Sequence, residues 1–305
     1  MNALNDRFYG SQGWIAVVAT ALLGIVMTQG AAAQQPLKLF ISVDMEGIGG
    51  IGTGAMTSAG GKDYETGRRL MTGEVNAVVA AILEHGPAEI VINDSHGDMQ
   101  NLLHTELDPR VTYIQGSIKP YGMVEGLDAT FDGVIFLGYH ARAGTAGGFL
   151  AHTGSGAVKG LWLNEREAGE GDMNAAFAGS LGVPVVLVSG DSATVEQLAT
   201  SLDAEMVTTK VAVSPQSAAL RHPELVRERL AAATRRALAN IGSAAPLPVE
   251  EPVRVRLRFA DVTTPQILEA VPGVRQVDGY TVEFESPTMA AAYRLIRLLY
   301  RFVRI

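Results

Sequence analysis

The sequence predicts an α/β fold: a largely parallel sheet flanked by helices, with a smaller C-terminal α+β subdomain. Two observations carry that prediction. Through the first two thirds of the chain, short and continuously apolar runs alternate with amphipathic stretches, as strands buried on both faces and their crossover helices do. The last third changes to period-two alternation beyond a proline-rich connector, the pattern of a sheet with one wet face. Composition agrees, since 305 residues that are 47% hydrophobic and 18% charged suffice for a real core and lie far from the disordered regime.

In chain order, residues 15–27 form an apolar core followed by Ala31, Ala32 and Ala33. This reads as a secretory signal cleaved after Ala33, and it is too short for a comfortable membrane span. The expected location is therefore secreted or periplasmic, with no stable membrane insertion after cleavage; an uncleaved N-terminal anchor is the alternative. Leu37–Val43 is the first strand. Tyr64–His85 has helical spacing in Leu70, Val75, Val78, Val79 and Ile82, and stops at Gly86. Strands are expected at 89–93, 133–138 and 183–189, and Ser192 is expected to cap a helix through about residue 202. A long Arg- and Ala-rich helix over 223–241 precedes the connector 245–252. Beyond it lie a strand at Val253–Phe259, a helix near 264–271, a strand at 280–284 and a final helix. The expected division is a signal peptide over 1–33, an α/β metal-binding catalytic domain over 36–205, and a helix with the smaller α+β subdomain over 206–305.

Several function classes recede on composition alone. The net charge of -8 without a Lys/Arg block argues against nucleic acid as a partner. The absence of Cys excludes disulfides, thiolate ligands and a Cys nucleophile, so any metal must be held by nitrogen and oxygen.

Open α/β sheets bind ligands at the carboxyl ends of their strands. The first predicted strand is followed by Asp44, Met45, Glu46 and Gly47, the second ends in Asn93, Asp94, Ser95 and His96, and the third in Gly138, Tyr139 and His140. The fourth gives Gly190 and Asp191. Asp44 and Glu46, two apart, share one face of an extended segment. Two bare carboxylates so close repel, and a divalent cation is the usual remedy; a polar turn in which Asp44 merely caps the next segment is the plainer alternative. Of six His, His85 suits a helix C-terminus, His104 a polar loop and His222 a helix start. His96 and His140 suit ligands, though each alone also reads as a hydrogen-bonded loop residue. His152 lies in a Gly-rich stretch, where it suits general acid–base work or transition-state stabilisation, or is simply exposed on a loop. Glu170, ahead of an amphipathic segment over 172–181, is a ligand or a helix N-terminal carboxylate. Glu165 and Glu167 look like turn residues.

These motifs, in this order, resemble the D-aminopeptidase family of zinc metallopeptidases across essentially the whole chain from Leu37 onward. The most telling blocks are residues 42–47 (Ser-Val-Asp-Met-Glu-Gly), 93–96 (Asn-Asp-Ser-His), 123–128 (Met-Val-Glu-Gly-Leu-Asp), 136–142 (Phe-Leu-Gly-Tyr-His-Ala-Arg), and Gly169-Glu170 followed by Asn174-Ala175. The resemblance implies that Asp44, Glu46, His96, His140 and Glu170 bind two Zn2+ ions with Asp44 bridging, and that His152 is catalytic, described in the family as a nucleophile. The family motif there is Ser-His-Ser, against Ala151-His152-Thr153 here. The N-terminal signal is a second departure. The resemblance also implies a ring-like homo-oligomer.

The expected activity is therefore a zinc-dependent aminopeptidase acting on short peptides or amides with an N-terminal D-amino acid such as D-Ala, by metal-activated water with His152 assisting. Two alternatives stand beside it. One is a secreted metal- or solute-binding protein without turnover. The other is a two-metal phosphoesterase, which the scarcity of cations in the strand-end motifs (Arg142 alone lies nearby) disfavours.

Overall fold

Six of the seven strands in the main sheet run parallel, as the strand–helix alternation predicts. The computed structural model describes residues 35–301, so the signal expected over 1–33 lies outside the described residues. The elements are β1 (Leu37–Val43), α1 (Tyr64–His85), β2 (Ala88–Asp94), β3 (Thr112–Ile114), β4 (Gly133–Tyr139), β5 (Val158–Leu163) and β6 (Arg166–Ala168). Next come α2 (Glu170–Ser180), β7 (Val185–Asp191), α3 (Ser192–Leu198), β8 (Glu205–Ser214), β9 (Ser217–Leu220) and α4 (Pro223–Ala239). The last are β10 (Val253–Phe259), α5 (Thr263–Leu268), β11 (Arg275–Asp278), β12 (Thr281–Ser286) and α6 (Met289–Arg301). None of the described helices is long and apolar enough to cross a membrane.

The main sheet has the order β3-β2-β1-β4-β7-β8-β9, parallel except for the β8–β9 hairpin. Strand order reverses between β1 and β4, and that switch point opens a crevice at the carboxyl edge. Both faces of the sheet are covered, which is why its central strands read as unbroken apolar runs. Leu39, Ile41 and Val43 pack with α1 and α4, while Phe40 faces the opposite core with Phe177, Leu257, Tyr293 and Ile296.

The second sheet, β11-β12-β10-β5-β6, is antiparallel throughout. It corrects the division expected at residue 205. β10 pairs with β5, which lies well before that point, while β8, β9 and α4, which lie after it, belong to the main sheet and its covering layer. The described residues, 35–301, form one compact unit. The sequence reading missed β5 and β6 because Gly160 and the turn at Asn164 and Glu165 interrupt any clean alternation. The cap of α3 also differs from expectation: Asp191, not Ser192, accepts the Thr194 amide, and the helix ends at Leu198.

Beyond the end of β1 the chain stays bonded to β4. The Asp44 amide donates to Leu137 O and the Gly47 amide to Gly138 O, both at 2.8 Å, while the Ser95 amide donates to Val43 O at 2.9 Å. This crossing works only because two side chains are missing. A Cβ on Gly47 would fall 2.1 Å from Tyr139 O, and one on Gly138, whose φ is +70°, would fall 2.4 Å from Asp44 O. Gly138→Ala therefore imposes both a left-handed Ala and a backbone clash. It should cost at least ~2 kcal/mol of stability, read as a lowered midpoint in thermal unfolding; an unchanged midpoint would show that the crossing tolerates a side chain.

Candidate metal centre

All five expected ligands converge at the switch-point edge. Asp44 and Glu46 follow β1, His96 follows β2, His140 follows β4, and Glu170 is the first residue of α2. Asp44, Glu46, His140 and Glu170 are each at most 6% exposed. Asp44 lies between two halves of the cluster. Its Oδ1 is 3.0 Å from His96 Nδ1, and its Oδ2 is 3.3 Å from His140 Nε2. Glu46 Oε2 approaches His96 Nδ1 at 2.9 Å, and Glu170 Oε2 approaches His140 Nε2 at 3.4 Å.

Backbone carbonyls fix which nitrogen of each imidazole faces the acids. His96 Nε2 lies 2.7 Å from Thr57 O and His140 Nδ1 lies 3.0 Å from Ala141 O. A carbonyl only accepts, so each of these nitrogens donates, and in a neutral imidazole the other nitrogen presents its lone pair to the carboxylates. Lone pairs facing carboxylates at this range call for positive charge between them, a proton or a metal ion. A proton serves poorly: one proton on His96 Nδ1 cannot satisfy both Asp44 and Glu46. Glu46 Oε2 and His140 Nε2 are buried without any hydrogen bond. Asp44, Glu46 and His140 offer donor atoms within 4.8 Å of one another, as do His140, His152 and Glu170. The residues present therefore fit one or more hard or borderline cations such as zinc, with nitrogen and oxygen donors only.

Electrostatics without an ion shows the same demand. Burial, and then the charge of Glu46, push the Asp44 carboxyl up to about 7. Burial opposes ionisation of Glu46 and Glu170 too, but the neighbouring imidazoles prevail: His96 holds Glu46 well below the usual carboxylate range, and His140 brings Glu170 to about 2. Burial likewise opposes charge on the imidazoles, yet the acids lift His96 well above its ordinary value and His140 to about 10.

His152 lies beside this cluster. Its ring stacks on His140 with centroids 3.9 Å apart and 13° between planes, and its Nδ1 donates to Leu150 O at 2.9 Å. That leaves Nε2, 3.9 Å from Glu170 Oε1, facing the cleft on a side chain one-third exposed. The neighbouring Thr153 is structural, its Oγ1 accepting from the Ala143 amide. The remaining His are where the sequence puts them: His85 ends α1, His104 is in a loop, and His222 caps α4 by accepting from the Glu224 amide.

A buried polar network supports the candidate ligands. Ser42 Oγ lies 2.7 Å from Ser95 Oγ and 2.6 Å from Tyr139 Oη, and donates to Met123 O. Asn174 donates to Tyr139 Oη and accepts from Tyr293 Oη, which ties β1, β4, α2 and α6 together. Asp94 is a framework acid, accepting from the amides of Asn101 and Leu102 so that the loop after His96 is held closed. Lys210, fully buried, donates to Glu46 O and to Ile51 O, pinning the loop that carries Glu46.

The sequence reading missed the far wall of the cleft. Arg297, Tyr300 and Arg301 of α6 line it together with Met99, Met123 and Gly154. This corrects the expectation that Arg142 is the one cation near the strand ends: Arg142 instead pairs with Glu167 at 2.9 Å. No local motif marks residues 297–301; only the pairing of buried with basic positions along an amphipathic helix hints at them. Volume does not locate the chemistry either. The cleft at the carboxylates holds about 100 Å³, whereas a more apolar cleft of about 330 Å³ beside Leu163, Leu247 and Met289 has no imidazole.

A covered parallel sheet whose carboxyl edge gathers acids and imidazoles around space for a cation defines a metallohydrolase framework. The sequence profile of the family described as D-aminopeptidase matches residues 37–298. A D-aminopeptidase from Bacillus subtilis (strain 168) is 36% identical over 267 residues, covering 86% of this chain and 96% of that protein. The solved structure of a Zn-dependent D-aminopeptidase, DppA, from Bacillus subtilis, described as a self-compartmentalizing protease, superposes with a TM-score of 0.84 at 34% identity. That likeness covers 86% of this chain and 96% of that one. This chain belongs to the D-aminopeptidase family and is a metallo-aminopeptidase of the hydrolase class.

The acids lift His96 and His140 above their ordinary values when no ion is present, so an entering ion competes with protons on both rings. Zinc binding at pH 7.5 should release about two protons per chain, measured by calorimetry in buffers of different ionisation enthalpy. Heats independent of the buffer would mean that the imidazoles are already neutral or are not displaced.

Proposed function

We propose that the chain is a zinc-dependent aminopeptidase removing an N-terminal D-amino acid such as D-Ala from short peptides or amides. Two zinc ions per chain would be held by Asp44, Glu46, His96, His140 and Glu170, with Asp44 shared. The observation that carries this reading is the position of Asp44, one oxygen towards His96 and the other towards His140. Zinc supplies Lewis acidity towards a carbonyl and towards water.

The chain's own groups supply the rest. His152 Nε2 has no backbone partner and faces the cleft, so it can take a proton from attacking water and return it to the leaving amine. Acid–base work of this kind needs no covalent bond to the imidazole. The Gly154 amide donates to Glu170 Oε1, which holds the carboxylate in place beside His140. Burial and Glu170 push the Tyr300 hydroxyl up to about 12, so it stays a neutral hydrogen-bond donor at the cleft wall. The substrate's free α-amine would sit at this metal-bearing end of the cleft, which suits trimming from an N-terminus.

The Bacillus protein is described as self-compartmentalizing, and the shared fold supports a homo-oligomer here as well. A secreted or periplasmic location, with the signal removed after Ala33, would bring D-Ala peptides of the cell-wall type within reach.

Metal content of the wild type beside Asp44→Ala tests the centre: about two zinc ions per chain, halved or lost in the variant. His152→Ala should keep its zinc while kcat on D-Ala-D-Ala falls by roughly 10²- to 10⁴-fold. Turnover of L-Ala-L-Ala equal to or better than that of the D-dipeptide would sink the stereochemical assignment, and loss of zinc in His152→Ala would move that residue among the ligands.

A further inference from the structure

Arg297 has no assigned task in the chemistry above, and its setting is unusual. It is 5% exposed, yet no carboxylate lies within 4.0 Å of it among the described residues. Its Nη1 donates to Lys119 O at 2.9 Å, a neutral acceptor. A place has been made for the guanidinium: a Cβ on Gly122 would fall 1.6 Å from Nη1 and 2.2 Å from Cζ. Lys119, 6% exposed, adds a second buried cation nearby, its Nζ donating to Asn93 Oδ1 and Asp94 O at 2.6 Å. Arg301 continues the basic wall towards the rim, with Nη2 on Gly97 O at 3.1 Å.

A buried cation without an anion is costly, and an anion brought by a ligand would offset that cost. The cleft thus has two chemical poles: Asp44, Glu170 and His152, with the cation they would hold, and Arg297 with Arg301. A short peptide offers a match to each, a free amine for the metal-bearing pole and a carboxylate for the arginines. The planar fork of Arg matches a carboxylate bidentately. The two poles share one small cleft, so a ligand touching both is short.

We infer that Arg297, assisted by Arg301 at the rim, binds the free C-terminal carboxylate of the substrate and so selects short peptides over amides and longer chains. This inference rests on the aminopeptidase reading and names the substrate class of that same site. Arg297 is then a specificity-determining residue that touches substrate without touching the scissile bond. The amide substrates allowed above would be cut, but poorly.

The test uses full-length zinc-loaded protein and a hydrolysis-resistant D-Ala-D-Ala analogue in which CH2–NH replaces the scissile amide. The free acid and its C-terminal carboxamide are titrated by calorimetry onto the wild type and Arg297→Met, with turnover of D-Ala-D-Ala and D-Ala-D-Ala-amide measured alongside. The wild type should bind the acid roughly 10- to 100-fold more tightly than the carboxamide. In Arg297→Met that gap should collapse to about threefold or less, acid binding falling far more than carboxamide binding and zinc content being unchanged. Equal binding of the two ligands by the wild type overturns the inference, as does a gap that survives in the variant or a loss shared equally by both ligands. If Arg297→Met does not fold, Arg297→Lys takes its place: a point charge for a fork must narrow the gap, and an unchanged gap is again fatal. Selective binding of the acid without turnover of either peptide would defeat the peptidase reading while leaving the carboxylate site standing.

Discussion

Mutual repulsion among Asp44, Glu46 and Glu170, three carboxylates gathered out of water, is the constraint on which the rest of the structure depends. Buried like charges destabilise a fold unless positive charge is placed among them. Here the imidazoles cannot do this well as proton carriers, because His96 must serve two acids through one nitrogen and His140 Nε2 reaches no hydrogen bond. The Thr57 and Ala141 carbonyls turn both rings so that lone pairs face the acids. A cation then resolves both the repulsion and the orphaned nitrogen at once, and a cation held by such ligands retains the acidity that hydrolysis requires.

The scaffold meets this constraint by splitting it among elements that cannot move independently. Each candidate ligand sits where a strand or helix begins or ends, and the parallel pairing of β1 with β2 and β4 fixes the spacing between them. Gly47 and Gly138 let the acidic loop cross the end of β4 in backbone contact. Beneath, the hydroxyl and amide network from Ser42 to Tyr293 is satisfied by the protein itself, so the ligand loops rest on polar groups that need no solvent.

The acid- and imidazole-bearing edge is legible in the sequence because its pattern is local. Asp44, His96 and His140 each stand directly after an apolar run, and the edge rule for parallel sheets converts that into proximity. Glu170 and His152 are legible as residues but not as neighbours of that edge; the motif order, not their spacing, links them to it. The long-range partners cannot be read in this way. β5 and β6 reveal themselves only when paired with β10, so a boundary at residue 205 looks natural in the sequence and is absent from the fold. Arg297 is one of several arginines on amphipathic helices, and nothing local separates one that faces solvent from one that faces a cleft. Its meaning depends on the missing side chain of Gly122, far away along the chain.

α6 leans on three glycines of the cleft: Arg297 on Gly122, Tyr300 on Gly154, and Arg301 on the Gly97 carbonyl. During synthesis the chain emerges from its N-terminal side, so every acid and imidazole of the centre is made long before α6. The partly made protein consequently has the groups that attract a cation but lacks one wall of the cleft. The cleft is thus complete only once these last turns have docked, because Arg297, Tyr300 and Arg301 supply part of its lining.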